Sequence, residues 1–430
     1  MIEIWIVLLV SLFGMLFLGQ WIGVALGLTG AIVMFVWGGG FSLLGSELWA
    51  SLNIYGLTAI PGFVFVGEVI MRSGLAGKAF QAIAPLAQRL PGKLLQVNIL
   101  LCAMFAAVFG SSTACAAAVG AIVIPELRQR GYNEELILGT VTVAGTMAFV
   151  IPPSSQFILY GSIVNAPIAA LFLAGTIPGL LMAGLFMLYL AFKSRISPEI
   201  VPQEEKVPLG RALLSLLTLW PLFVIMVLCV APIYLGVATP TEAAGLGAFA
   251  AILVGKFFGD LKFRSMWVCL RETTKVLCML YFIIVGAMVM SAAVSQLGLP
   301  RQVIEWIGAM DVSPFVIMAA IYLLYVCLGC LFDGISMMFM TLPFVFPIVF
   351  LLGFDPVWFG VALCLLMEIS IVTPPVGMNL YIVKAVAGPG TEVSTIFRGS
   401  VPFLICSVIT LCIITFFPKI VLWLPELVLG

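Results

Sequence analysis

The chain has 430 residues, 63% hydrophobic and 9% charged, with 19 basic residues balanced by 19 acidic ones and no histidine. A soluble domain is about 25% charged, so this composition excludes a soluble globular protein, and the absence of any Lys/Arg-rich block excludes a nucleic-acid binder. Lack of histidine removes the commonest general base and transition-metal ligand, which weighs against a membrane-embedded enzyme.

The first apolar run, Ile2 to Leu18, has no basic segment ahead of it and continues into a second span, so it reads as a mature membrane helix, not a cleaved signal. Spans are predicted at 3–20, 22–37, 53–72, 135–163 and 167–192, recurrent apolar runs of the kind that cross a bilayer. Between the third and fourth, 75–91 reads as an amphipathic surface helix. After it comes a helical hairpin, 94–126, turning at "FGSSTA" (109–114). A hairpin returns to the side it left, and five other crossings are an odd number, so the second half starts inverted. Residues 196–208 are a cytoplasmic linker within the one polar, Pro-rich stretch, "KSRISPEIVPQEEKVPLGR" (193–211). Beyond it, scaffold spans are expected over 209–258, an arm helix at 299–310, a hairpin at 312–350 turning at "FDGIS" (332–336), and a broken helix at 356–383.

The halves echo each other. Pro125 aligns with Pro347, Gly131 with Gly353 and Pro152-Pro153 with Pro374-Pro375, all at an offset of 222 residues. "AGTIPGLL" (174–181) and "SGLAGKAFQAI" (73–83) find partners in "RGSVPFLI" and "LGLPRQVIEWI" at an offset of 224. The expected fold is an all-α polytopic membrane protein of two inverted-topology repeats, 1–195 and 209–430, each with a re-entrant hairpin and a broken helix. This pattern marks secondary transporters. With 75–91 on the cytoplasmic side, all 19 basic residues except Arg301 and Lys419 are cytoplasmic, as the positive-inside rule requires; both termini then face outward.

The prolines in "FVIPPSSQF" (149–157) and "VTPPVGMN" (372–379) remove backbone donors and free carbonyls one turn upstream. Non-helical backbone at membrane depth persists only inside protein or beside a cavity. Matched breaks in inverted halves point to a midplane site. Freed carbonyls and hydroxyls of the Gly/Ser tips suit Na⁺; the half-helix N-termini suit a carboxylate. One oxygen-lined site per half predicts two Na⁺ flanking one anion. Asp333, aligned with Ser111, reads either as a Na⁺ ligand or as an N-cap. Glu368, aligned with Thr146, reads either as a proton site or as a satisfied structural carboxylate, and Asn379 either contacts substrate or caps its helix. "TPTE" (239–242) spells a capping box, and Glu68 and Arg72 have the spacing of a helical ion pair. Cys327 and Cys330 form a lone CxxC in an apolar segment, read as helix packing, not zinc.

"GSSTACAAAVGAIVIPELRQRGY" (110–132), "IPPSSQFILYGSI" (151–163), "LFLAGTIPG" (171–179), "CLFDGISMMFMTLPFVFPIVFLLGFDPVWFGV" (330–361) and "VTPPVGMNLYIV" (372–383) resemble the large membrane subunit of TRAP transporters, the tripartite ATP-independent periplasmic transporters, over nearly the whole chain. The resemblance implies elevator-type, Na⁺-driven uptake of an organic acid such as a C4-dicarboxylate or sialic acid across the bacterial inner membrane. It implies two partners, a small four-helix membrane subunit, expected as a separate polypeptide, and a periplasmic substrate-binding protein. It places two or more co-transported Na⁺ at Ser111, Ser112, Gly145 and Pro152 and at Asp333, Gly334, Thr373 and Gly377. Substrate contacts are expected from Thr113, Ser154, Ser155 and Asn379. "PPSSQF" and "STACAAAVG" depart from the family pattern, which bears on substrate identity. The alternatives are a stand-alone Na⁺ or H⁺ symporter or antiporter of the ion-transporter superfamily, a channel, and an embedded enzyme. With no GxxxxGK[ST], no nucleotide is expected.

Overall fold

A computed structural model describes residues 2–38, 45, 46, 49, 52–202, 207–308, 312–330 and 332–430, and every regular element among them is helical. Residues 203–206 of the expected linker (including Lys206), 309 and 310 of the expected arm helix, and Leu331 of the second hairpin turn lie outside the described residues.

The first half runs α1 (Ile2–Phe17), α2 (Ile22–Trp37), a 3-10 turn (Tyr55–Thr58) leading into α3 (Ala59–Arg72), α4 (Leu75–Ala87), α5 (Leu94–Phe109), α6 (Ser112–Gln129), α7 (Glu134–Ala144), a second 3-10 turn (Gly145–Phe149), α8 (Ser155–Val164) and α9 (Ile168–Ile196). The second half runs α10 (Leu209–Leu216), α11 (Trp220–Tyr234), α12 (Pro240–Phe257), α13 (Phe263–Gln296), α14 (Leu299–Gly308), α15 (Pro314–Gly329), α16 (Gly334–Leu351), α17 (Pro356–Ser370), α18 (Met378–Ala387), α19 (Val393–Phe416) and α20 (Lys419–Leu429). Among the described residues, six helical segments are long and apolar enough to cross a membrane: 55–72, 168–196, 209–234, 263–296, 334–351 and 393–416. The molecule is a multi-pass membrane protein. Large apolar side chains such as Phe17, Trp21, Phe249 and Phe263 point outward, where a lipid environment makes burial unnecessary.

Helix ends follow their capping residues. Asn133 caps α7 by accepting from Leu136 N at 3.1 Å, with Glu134 and Glu135 against the positive end of the helix. At α12 the capping box forms in full: Glu242 N donates to Thr239 Oγ1 at 3.3 Å, and Thr239 N donates to Glu242 Oε2 at 2.8 Å. Thr239→Ala is therefore expected to cost about 1 kcal/mol in thermal unfolding of the purified protein, with Thr239→Ser restoring it. Glu68 and Arg72 pair at 3.1 Å, as their spacing predicts. Helix α4 is amphipathic as read: Ala76, Ala79, Phe80, Ile83 and Ala87 are buried while Lys78 and Gln81 stay outside that core.

Small residues set how closely the halves interlock, as is usual where lipid supplies no hydrophobic drive between helices. α2 meets α13 backbone to backbone: a Cβ on Gly286 would fall 2.1 Å from Gly23 O, and one on Gly30 would fall 2.8 Å from Met290 Cα. α3 meets α12 at Gly62, where a Cβ would lie 2.7 Å from Ala244 Cβ, and the hydroxyls of Thr58 and Thr241 lie 3.0 Å apart across the same contact. α7 meets α19 at Gly139 and Gly399, and α9 meets α19 through the edge-on rings of Phe186 and Phe403, 5.6 Å between centroids.

Candidate functional site

The helix that begins as α7 fails before its prolines. Pro152 and Pro153 cannot donate, so the carbonyls of residues 148 and 149 lose their helical partners. One loss is made good locally: Ser154 Oγ donates to Phe149 O at 2.8 Å. The backbone tightens into the Gly145–Phe149 turn, runs non-helically to Ser154, and restarts as α8. The turn begins at Gly145, where α6 packs so closely that a Cβ would lie 2.7 Å from Ala116 Cβ and 3.0 Å from Ala116 Cα.

Against this break lies the turn between α5 and α6. Gly110 takes a left-handed conformation (φ +55°), which a residue with a Cβ rarely adopts, and its carbonyl accepts from Ser155 Oγ. Ser111 caps α6, accepting from Ala114 N at 3.5 Å, and its hydroxyl lies 3.2 Å from that of Thr113. Ser112 is buried.

The second break repeats the arrangement with other residues. α17 ends at Ser370; the chain runs non-helically to Gly377 (φ +48°) and restarts as α18. Thr373 Oγ1 donates to Ile369 O at 2.7 Å, and Val376 N donates to Cys330 O at 3.2 Å, tying the break to the α15–α16 turn. Asp333 caps α16 by accepting from Ile335 N at 3.1 Å and Ser336 N at 3.2 Å, and also accepts from Ser336 Oγ. Pro152-Pro153 and Pro374-Pro375 are both cis.

The clusters face each other. Asn379, just past the second break, donates from Nδ2 to Ser112 Oγ at 2.8 Å and to Thr142 O at 3.3 Å, both in the first half. Reciprocally, a Cβ on Gly334 would meet Met367 at 2.8 Å and Phe149 of the first break at 3.5 Å. Pro152 and Pro153 are buried, whereas Pro374, Pro375 and Val376 are exposed and Ser111, Thr113, Asp333 and Thr373 are partly so. The second break is thus the more exposed of the two.

Residues 9–420 match the family described as tripartite ATP-independent periplasmic transporter, DctM component. The chain belongs to this family. It is accordingly a permease component of a TRAP transporter and not an enzyme. It is 31% identical to the C4-dicarboxylate TRAP transporter large permease protein DctM of Pseudomonas aeruginosa, over 94% of both chains. It is 30% identical to the sialic acid TRAP transporter large permease protein SiaM of Vibrio cholerae, over 97% of both. In fold it resembles the YdaH transporter of Alcanivorax borkumensis, with a TM-score of 0.61 at 18% identity, covering 88% of this chain and 89% of that one.

In this DctM component the residues singled out from sequence gather as two groups. Ser111, Ser112, Gly145, Ser154 and Ser155 lie about the first break, with Asn379 reaching in; Asp333, Gly334, Thr373 and Gly377 lie about the second. The hydroxyls of Ser154 and Ser155 are turned to protein oxygens, and Asn379 bridges the halves instead of capping α18. Sequence reasoning missed Gln156, whose side-chain amide lies 3.1 Å from the hydroxyls of both Ser154 and Ser155; its place directly after "PPSS" was the available signal. It also missed Arg128, which donates to Glu134 Oε1 and Oε2 at 3.0 Å, to Ala387 O at 2.6 Å and to Thr391 Oγ1 at 3.0 Å. That residue joins the end of α6 to the segment after α18, a contact no local pattern announces. Cys330, the residue just after α15, donates from Sγ to Val326 O of that helix at 3.2 Å.

Proposed function

We propose that this chain carries out Na⁺-coupled uptake of a small carboxylate by an elevator motion of its hairpin-and-break core. Oxygens about the first break, from Ser111, Ser112, Gly145 and Pro152, hold one Na⁺. Oxygens about the second, from Asp333, Gly334, Thr373 and Gly377, hold another. We assign Thr113, Ser154, Ser155 and Asn379 to the substrate, beside helix N-termini (α6, α8, α16 and α18) that favour an anion.

The single observation that carries this reading is the convergence of two broken helices and two capped turns, joined by Asn379 to Ser112 at 2.8 Å. Reciprocal packing supports the inverted repeat: α2 on α13 is answered by α12 on α3, α7 on α19 by α17 on α9, and α6 on α18 by α16 on α8. Residues 1–195 and 209–430 are the two repeats, the arms α4 and α14 and the linker 196–208 allow the core to move, and both termini face the periplasm.

The names of the two relatives specify C4-dicarboxylate and sialic acid, and we take an organic acid as the cargo here. A small membrane subunit and a periplasmic binding protein complete the tripartite system, the latter delivering the substrate. Each Na⁺ crossing about 100 mV contributes about 2.3 kcal/mol, and a tenfold gradient adds about 1.4 kcal/mol. Two ions thus supply roughly 7 kcal/mol before the anion's own cost, enough to concentrate substrate without ATP. The test is uptake of radiolabelled C4-dicarboxylates and sialic acids into proteoliposomes containing the full assembly. Uptake is expected only with inward Na⁺ and the binding protein; uptake indifferent to Na⁺ overturns the coupling, and uptake indifferent to the binding protein favours a stand-alone symporter.

A further inference from the structure

Glu368 stands outside both oxygen clusters. It lies in the last turn of α17 and is fully buried. Its Oε1 accepts from Ser407 Oγ of α19 at 3.3 Å, but that hydroxyl lies equally close to Phe403 O, at 3.3 Å, and is shared. Its Oε2 has no hydrogen-bond partner among the described residues. Thr146, from the turn of the first break, is the other side chain bearing on the carboxyl; its hydroxyl donates to Val143 O at 2.7 Å.

Among the described residues, no cation pairs with this carboxylate. α17 packs against α8, α9, α15, α16, α19, α20 and the Gly145–Phe149 turn. Among their titratable groups, Tyr160 is engaged with Pro356 O, Tyr322 with Thr415 and Tyr325 with Thr341. Lys193 and Arg195 lie in the last turn of α9, Arg398 near the start of α19, and Lys419 at the start of α20 with Glu426 further along it. Cys364 lies one turn away on α17 itself, and Cys406 lies beside Ser407 on α19. An ionised carboxylate here would be an unpaired charge in an apolar interior, at a cost of several kcal/mol.

We propose that Glu368 is a proton-binding site carried by the transport core, a third cation site beside the two assigned to Na⁺. A proton on the carboxyl removes the uncompensated charge. Thr146 borders the carboxyl with its own hydrogen committed to Val143 O, so its lone pairs stay open towards an acid O–H, while Ser407 donates to Oε1. The O–H bond made on loading is the one broken on release; nothing else is transferred. Thr146 and Glu368 occupy aligned positions of the two halves, 222 residues apart, so the proton sits where the two breaks meet. This inference rests on the reading of the breaks as the moving core.

Infrared difference spectroscopy of the purified protein in lipid tests it, comparing wild type with Glu368→Gln. Wild type should show the carbonyl stretch of a neutral carboxylic acid that shifts in D₂O and bleaches at alkaline pH, and Glu368→Gln should lack it. In proteoliposomes with the full assembly, uptake of a C4-dicarboxylate or sialic acid by wild type should fall toward alkaline pH, whereas Glu368→Gln, a mimic of the neutral acid, should lose that pH dependence yet keep its Na⁺ dependence. If no such band exists, the proposal fails; if Na⁺ binding also drops in Glu368→Gln, the carboxylate holds Na⁺ instead. A band that persists at every pH, with unaltered pH profiles, makes Glu368 a structural acid and equally overturns it. Should Glu368→Gln not fold, Glu368→Asp replaces it, and the band must move in frequency. Loss of Na⁺ dependence in wild type would instead overturn the reading of the two Na⁺ sites and leave the spectroscopic result standing.

Discussion

Gly399→Val is expected to abolish accumulation of folded, monodisperse protein. A Cβ on Gly399 would lie 1.8 Å from Glu135 O and 2.6 Å from Glu135 C, and one on the facing Gly139 would lie 2.0 Å from Gly399 O. Overpacking a core costs 1–3 kcal/mol when side chains give way. Here the obstacle is backbone, so α7 and α19 must separate along their length, and the cost should exceed that range. Because α7 leads directly into the first break, a displaced α7 also moves Gly145 and Thr146. Gel filtration and thermal unfolding of Gly399→Val and Gly399→Ala measure the effect. Gly184→Ala is the control: it lies within α9 with nothing within 4 Å of an added Cβ, so gaining helix propensity there should stabilise by up to about 1 kcal/mol. Equal behaviour of Gly399 and Gly184 variants would refute the packing argument.

Asp333→Asn should leave the fold intact and cripple transport. Asp333 accepts from Ile335 N and Ser336 N, and asparagine caps a helix about as well as aspartate does. What asparagine lacks is the charge. On the reading of the second cluster as a Na⁺ site, the half-saturating Na⁺ concentration should rise at least tenfold, equivalent to about 1.4 kcal/mol or more, with thermal stability in the absence of Na⁺ unchanged. Asp333→Ala should lose both properties, since the cap contributes about 1 kcal/mol. If Asp333→Asn transports like wild type at every Na⁺ concentration, the carboxylate is a cap and nothing else, and the second site must be built from main-chain oxygens and Thr373 alone.

Much of this arrangement is legible in the chain because membrane proteins make local chemistry explicit. Proline in an apolar span means missing donors wherever the span goes, and so Pro152, Pro153, Pro374 and Pro375 marked both breaks. Thr-Pro-Thr-Glu specified its capping box through bonds among four consecutive residues. The place where the first helix gives way was less legible: it does so at Gly145, earlier than the prolines require, at a point packed tightly against Ala116 of another helix. The same limit applies to Asn379. Capping its own helix was one local option for it, yet it does not cap α18 and instead joins Ser112, a residue 267 positions away.

Sequence alone determined the helical, membrane-spanning class, the two breaks, the turns that face them and the family, since each depends on residue type and near-neighbour spacing. Tertiary structure alone decided which helices touch, that Asn379 and Phe149 each cross to the other half, that the second break is the more exposed, and that Glu368, among the described residues, has one hydroxyl donor and no paired cation. Such contacts join residues far apart in the chain, and their strength comes from interhelical distance and exclusion of water. Those quantities exist only once the helices have packed.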